Sequence, residues 1–178
     1  WNYIIWGLYF GGFIFFEPMT LFPTGQDIVW GPLFTWLSVP FALLAGDATH
    51  VALIDAVSWL PAVLGCLMVP VMFFLGKKLG DWKTGLLAAL FIAVIGGQFF
   101  SRSLYGHFDH HVAETLFSTL FSLCYVMGLS YLHGKEISVK NPATLRLPII
   151  LGIVSGVAYL LSLLTMTTLV VVGFFASV

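Results

Sequence analysis

Three stretches of the chain, residues 52–76, 84–100 and 112–132, are nearly unbroken runs of apolar residues, and a fourth runs from Leu147 to Val178. A helix needs about 20 apolar residues to cross a hydrocarbon core of about 30 Å. The pattern therefore predicts transmembrane helices at about 52–76, 84–100, 112–132 and 147–178. At about 1.5 Å per residue the last would be roughly 48 Å long, so it tilts strongly or breaks near 162–168. Pro61 and Pro70 fall inside the first run and predict kinks there. Segment 31–45 is apolar but too short to span comfortably. Its Trp36 and flanking phenylalanines suit the headgroup boundary, with Pro32 near the first turn, so it reads as an interfacial or re-entrant helix. A short true span with an inverted N-terminal half is the competing assignment. Gly96-Gly97 ends a helix, residues 133–142 form a polar connector, and the Pro and Gly residues of 17–32 make an ordered loop. The fold class is all-α: a polytopic helix bundle over 51–178, preceded by a loop region with a surface helix over 1–50.

Composition fits a bilayer. Of 178 residues 60% are hydrophobic and 8% charged, against about 25% charged in soluble domains. A multi-pass protein of the cell membrane follows, with the lipid bilayer as its surroundings. The net charge is -1 and there is no basic patch, which excludes nucleic acid as a partner. Cys66 and Cys124 lie in apolar runs and read as buried small hydrophobes rather than a disulfide. The first residues lack the basic n-region of a cleavable signal. The chain begins at Trp1 and stops at Val178 within an apolar run; a piece of a longer protein is expected.

Charge sets the expected orientation. Lys77, Lys78, Lys83, Lys135, Lys140 and Arg146 account for six of the seven basic residues. Cytoplasmic loops collect such residues, which places 77–83 and 133–146 in the cytoplasm and 99–111 outside it.

The seventh, Arg102, begins a polar cluster. His107, Asp109, His110, His111 and Glu114 follow it within 13 positions. Ionisable groups beside a membrane are costly and mark function by default. Asp109 and His111 point to one side of an extended or turning backbone and could share a divalent ion. On a helix, His107, His111 and Glu114 would instead share a face, in the manner of a zinc triad. In the third arrangement Asp109 caps the helix that follows and the histidines bond loop carbonyls. Arg102 could pair with Asp109, bind an anionic substrate group, or extend its head toward lipid phosphates.

The stretch Ser101-Arg102-Ser103-Leu104-Tyr105-Gly106-His107-Phe108-Asp109-His110-His111 resembles the second acidic motif of oligosaccharyltransferase catalytic subunits. Its Asp-His-His form is similar to the archaeal branch, the dolichyl-phosphooligosaccharide–protein glycotransferases. Phe16-Glu17-Pro18, Phe22-Pro23-Thr24-Gly25 and Trp30-Gly31-Pro32-Leu33-Phe34 resemble the end of that family's first external loop. Lys77-Lys78-Leu79-Gly80 and Thr84-Gly85-Leu86-Leu87-Ala88-Ala89 also match in order and spacing.

The resemblance implies a GT-C membrane fold, with residues 1–50 belonging to the first external loop. It implies transfer of a dolichol-linked (phosphate or pyrophosphate) oligosaccharide to asparagine in an acceptor polypeptide's Asn-x-Ser/Thr. Asp109 and His111 become ligands of a catalytic Mn²⁺ or Mg²⁺, and Arg102 assists electrostatically. Other family features are missing. Trp1–Phe15 contains no acid for a first acidic motif. The glutamate of a later external loop and the Trp-Trp-Asp-Tyr-Gly signature of the C-terminal soluble domain are absent too. The chain is expected to be part of the enzyme and inactive by itself. Another GT-C transferase that uses lipid-phosphate sugars, or a metal or ion transporter, are the alternatives.

Overall fold

The structure is a computed structural model that describes residues 16–17, 21, 23–27, 31–44, 50–133 and 142–165. Among the described residues a two-residue antiparallel pair comes first, β1 (Phe16–Glu17) against β2 (Gln26–Asp27), with Phe16 opposite Asp27. Helices follow: α1 (Leu33–Leu44), α2 (His50–Val57), α3 (Trp59–Leu79), α4 (Trp82–Val94), α5 (Gln98–Arg102), α6 (His111–Leu132) and α7 (Pro142–Thr165). Among the described residues three segments are long and apolar enough to cross a membrane: Val51–Leu79, His111–Leu132 and Leu145–Thr165. The all-α bundle expected from the apolar pattern is the fold observed.

The first expected span, 52–76, is helical from His50 to Leu79 but interrupted at Ser58. Pro61 explains the interruption. It has no N–H for the Val57 carbonyl, and its ring crowds that carbonyl. The Ser58 N–H still donates to Ile54 O at 3.0 Å, so the hydrogen bonding continues across the interruption. Pro70, by contrast, lies inside unbroken helix.

The expected span 84–100 is not one helix. α4 ends at Val94, Ile95 is extended (φ -72°, ψ 120°), and helix resumes only at Gln98. Gly96 and Gly97 occupy the gap, where glycine's conformational freedom weakens helix most. The 13 residues of α4 reach about 20 Å, short of a bilayer core. α1, with 12 residues, reaches about 18 Å and does not cross one by itself. The last helix starts at Pro142 rather than near 147 and carries Pro148 inside it. Residues 134–141 and 166–178, where the sequence places a polar loop and a helix break, lie outside the described residues.

α3 and α4 form a tight antiparallel hairpin. Its closeness depends on glycine: a Cβ on Gly85 would stand 2.7 Å from Phe73 O, and one on Gly76 2.9 Å from the Ala88 Cβ. Asp81 starts α4, its Oδ1 accepting from the Thr84 N–H and hydroxyl, each at 2.8 Å. α6 and α7 are antiparallel as well, joined through Phe121, Ala158 and Tyr159.

Between these hairpins lies the main core, where Phe34 of α1, Leu60, Leu64 and Met68 of α3, and Val112, Ala113 and Leu116 of α6 meet. In lipid such contacts are held by close packing rather than by release of water. Their effect is to fix the starts of α3 and α6 side by side.

Candidate functional site

The connection from α5 to α6 carries the polar cluster, and three of its residues pin it to the end of α2 and the start of α3. Gly106 turns left-handed (φ +83°), the conformation glycine adopts at least cost, and its N–H donates to Ser58 O at 3.2 Å. The Tyr105 hydroxyl hydrogen-bonds Asp55 Oδ1, and its ring meets Trp59 edge-on, centroids 5.1 Å apart. Ser103 lies against Gly65 so closely that a Cβ there would be 2.6 Å from the Ser103 Cβ. From the other side Phe34 of α1 packs on Phe108, ring centroids 4.6 Å apart.

Asp109 is the hub. Its Oδ2 lies 3.0 Å from Arg102 Nη1, and its Oδ1 accepts from the His111 N–H at 3.0 Å. The second bond is the side-chain turn that starts α6. Arg102 Nε donates to Gln98 Oε1 at 3.0 Å, one helical turn back, so the guanidinium is held from two directions. His110 Nδ1 is 3.6 Å from Asp109 Oδ1 and His107 Nε2 4.0 Å from Oδ2. The His110 and His111 rings lie tilted against each other with centroids 4.3 Å apart, and His111 Nδ1 meets Glu114 Oε2 at 2.8 Å.

The structure thus brings together the three residues singled out in the sequence. Arg102 pairs with Asp109, and Asp109 touches the His111 backbone. The capping arrangement holds to this extent, since the Asp109 carboxylate does start the helix. The helical triad of His107, His111 and Glu114 is not built, because α6 begins only at His111. His107 is instead more than half exposed.

His110 is the residue the sequence reading underrated. An extended backbone would turn it away from Asp109, but residue 110 is already helical (φ -66°, ψ -21°). Ligand atoms of Asp109, His110 and His111 fall within 4.8 Å of one another. Burial, then the neighbouring His111, pushes the His110 pKa below its ordinary 6.5. It is therefore a neutral imidazole at pH 7, with a lone pair to offer. One carboxylate and two imidazoles, all partly buried, fit a divalent cation of the first transition row.

Beside the cluster a recess of about 380 Å³ is lined by Gln98, Phe99, Arg102, His111, Val112 and Thr115. Its lining combines a guanidinium and an imidazole with the apolar side chains of Phe99 and Val112, which suits an anionic head on an apolar chain.

The family model described as oligosaccharyl transferase STT3, N-terminal, matches residues 1–178. A dolichyl-phosphooligosaccharide-protein glycotransferase 3 of Archaeoglobus fulgidus is 27% identical over 84% of this chain and 17% of its own length. The dolichyl-monophosphooligosaccharide–protein glycotransferase AglB of Haloferax volcanii is 29% identical over 80% of this chain and 14% of its own. This chain therefore spans about a sixth of those relatives. Two solved structures of the Archaeoglobus fulgidus enzyme have the same fold. One, tethered to an acceptor peptide containing the NVT sequon, matches with TM-score 0.74 at 26% identity, over 90% of this chain and 19% of that one. The other, in complex with an inhibitory peptide and a dolichol-phosphate, matches with TM-score 0.78 at 21% identity, over 93% and 19%. With a helical membrane fold, the Arg102–Asp109–His111 cluster and a match along its whole length, the chain belongs to the oligosaccharyl transferase STT3 family.

Proposed function

We propose that this chain is part of a metal-dependent membrane oligosaccharyltransferase. It acts on a dolichol-linked phosphate or pyrophosphate oligosaccharide, which it transfers to asparagine in an Asn-x-Ser/Thr acceptor. The carrying observation is the convergence of Arg102, Asp109, His110 and His111 at the start of α6, next to the recess. The relatives with a dolichol-phosphate and an NVT peptide support the same donor and acceptor chemistry.

Asp109 and His111 hold the cation, with His110 beside them as a further donor. Imidazole donors tilt the set toward Mn²⁺ over Mg²⁺. When bound, the cation stabilises negative charge on the departing lipid phosphate. Arg102 keeps the Asp109 carboxylate aimed, and its guanidinium has more N–H donors than these two bonds use. Those donors receive an anionic head in the recess. The cluster stands at the outer ends of α3 and α6, opposite the lysines of the α3–α4 turn, so transfer takes place on the extracytoplasmic side. A transporter would hold its ligands near mid-membrane, whereas this cluster lies at the beginning of a span.

The test is transfer to an Asn-x-Thr peptide by the full-length enzyme across a Mn²⁺ titration. Asp109→Ala abolishes transfer. His111→Ala and His110→Ala each lower apparent metal affinity, by about 10- to 100-fold for a lost ligand or ligand support. Transfer that persists in Asp109→Ala, or that ignores chelation of divalent ions, refutes the assignment.

A further inference from the structure

We infer that Glu114 is a positioning residue for the cation site: it fixes the His111 ring so that Nε2, and not Nδ1, is the ligating nitrogen. This rests on the assignment of His111 as a metal ligand. An imidazole can bind a cation through either nitrogen, and the choice is made by what the other nitrogen does. Glu114 Oε2 stands 2.8 Å from His111 Nδ1. A carboxylate accepts at that distance, so Nδ1 carries the hydrogen and the lone pair is left on Nε2. Metal-bound histidines characteristically have such an outer carboxylate, which orients the ring and raises its basicity.

Local structure holds the pair in place. His111 and Glu114 are one turn apart in the first turn of α6, where an acid is also favoured by the helix dipole. Between them Val112 is 1% and Ala113 0% exposed, packed into the main core. The turn therefore cannot slide or rotate without breaking that packing. The His111 N–H is held by Asp109 Oδ1, and the His111 carbonyl accepts from the Thr115 hydroxyl at 2.7 Å. Asp109, His111 and Glu114 thus form a continuous chain: carboxylate to backbone N–H, then ring nitrogen to carboxylate. The glutamate does not belong among the ligands. It acts on the cation only through His111, and the pair would not be mistaken for a ligand triad once α6 is seen to begin at His111.

Three substitutions separate contact from charge in the purified full-length protein, with Mn²⁺ alone as probe and binding followed by paramagnetic resonance. Glu114→Gln keeps an acceptor oxygen at the same reach and retains affinity within about threefold, one ordinary hydrogen bond's worth. Glu114→Ala removes the acceptor and weakens Mn²⁺ about 10- to 100-fold. Glu114→Asp keeps the charge but falls a methylene short, and weakens it likewise; it also serves if the alanine variant does not fold. Raising Mn²⁺ restores the transfer rate of the alanine and aspartate variants. Wild-type affinity in Glu114→Ala or Glu114→Asp, with binding still dependent on Asp109, overturns the role of Glu114 alone. Absence of Mn²⁺ binding in the wild type, or binding unchanged in Asp109→Ala, overturns the cation site and this inference with it.

Discussion

At Gly106 the backbone N–H reaches the Ser58 carbonyl, and one residue earlier the Tyr105 hydroxyl reaches Asp55. Together these bonds fix where the following Asp109 stands. The carboxylate of Asp55 stabilises the protonated phenol, which holds the Tyr105 pKa above its ordinary 10.0. Tyr105→Phe and Asp55→Ala should each slow peptide glycosylation about threefold to tenfold, the worth of one positioning hydrogen bond. The double variant should be no slower than either single, because both remove the same link. Additive losses, or none, would show that the loop is held without this bond. Arg102, Asp109 and His111 were legible in the sequence because they are ionisable residues crowded beside apolar runs. The Tyr105–Asp55 link was not, since its members are 50 positions apart and neither carries a local signal. His110 is hard to place from the sequence for a different reason. The face it presents depends on whether residue 110 is extended or helical, and a helix starting one residue sooner reverses the answer.

Elements were legible in proportion to their length. The runs that became α3, α6 and α7 have enough apolar residues to declare themselves by count alone. The run over 84–100 misled because hydropathy does not register a break that costs only backbone hydrogen bonds. Gly96-Gly97 signalled it, and the structure places Ile95 already outside the helix. This break lets α5 leave the line of α4 and bring Gln98 and Arg102 against α6. At the other end of α4, Asp81 accepts two hydrogen bonds from Thr84, and these hold its carboxyl below the ordinary 3.8. The sign follows directly. A carboxyl whose folded value is depressed contributes stability above its unfolded value, and loses it as pH falls through the folded one. Amide exchange at Thr84 should therefore be slow at neutral pH and accelerate, relative to intrinsic exchange, below about pH 4, near the unfolded value of a carboxyl. Asp81→Asn keeps an accepting oxygen and should remove that acid-side change. Protection that is pH-independent in the wild type would count against the cap.

For the whole molecule the decisive relation is between the two ends of the α3–α4 hairpin. α3 has 21 residues, about 32 Å at 1.5 Å per residue, close to one hydrocarbon thickness. Its start is bonded to the turn that carries Tyr105 and Gly106, and its last turn holds Lys77 and Lys78. The Asp109 cluster and the lysines are therefore one membrane thickness apart, and a bilayer around α3 puts them on opposite sides. The outward faces agree with such a bilayer: Leu86, Leu87, Leu90 and Phe91 of α4 and Ile149, Ile150, Ile153 and Leu160 of α7 are exposed apolar side chains. The proposed assignment of sides rests on charge, since lysines beside a span tend to be retained in the cytoplasm. In a full-length protein with Cys66 and Cys124 replaced by alanine, a cysteine at Leu104 should react with an impermeant maleimide on intact cells. Leu104 suits the purpose because its side chain is exposed, whereas Ser103 is pressed against Gly65. A cysteine at Lys83 should react only after permeabilisation. Reaction of both on intact cells would mean that the α3–α4 hairpin does not cross, and the reverse pattern would place glycan transfer on the cytoplasmic face.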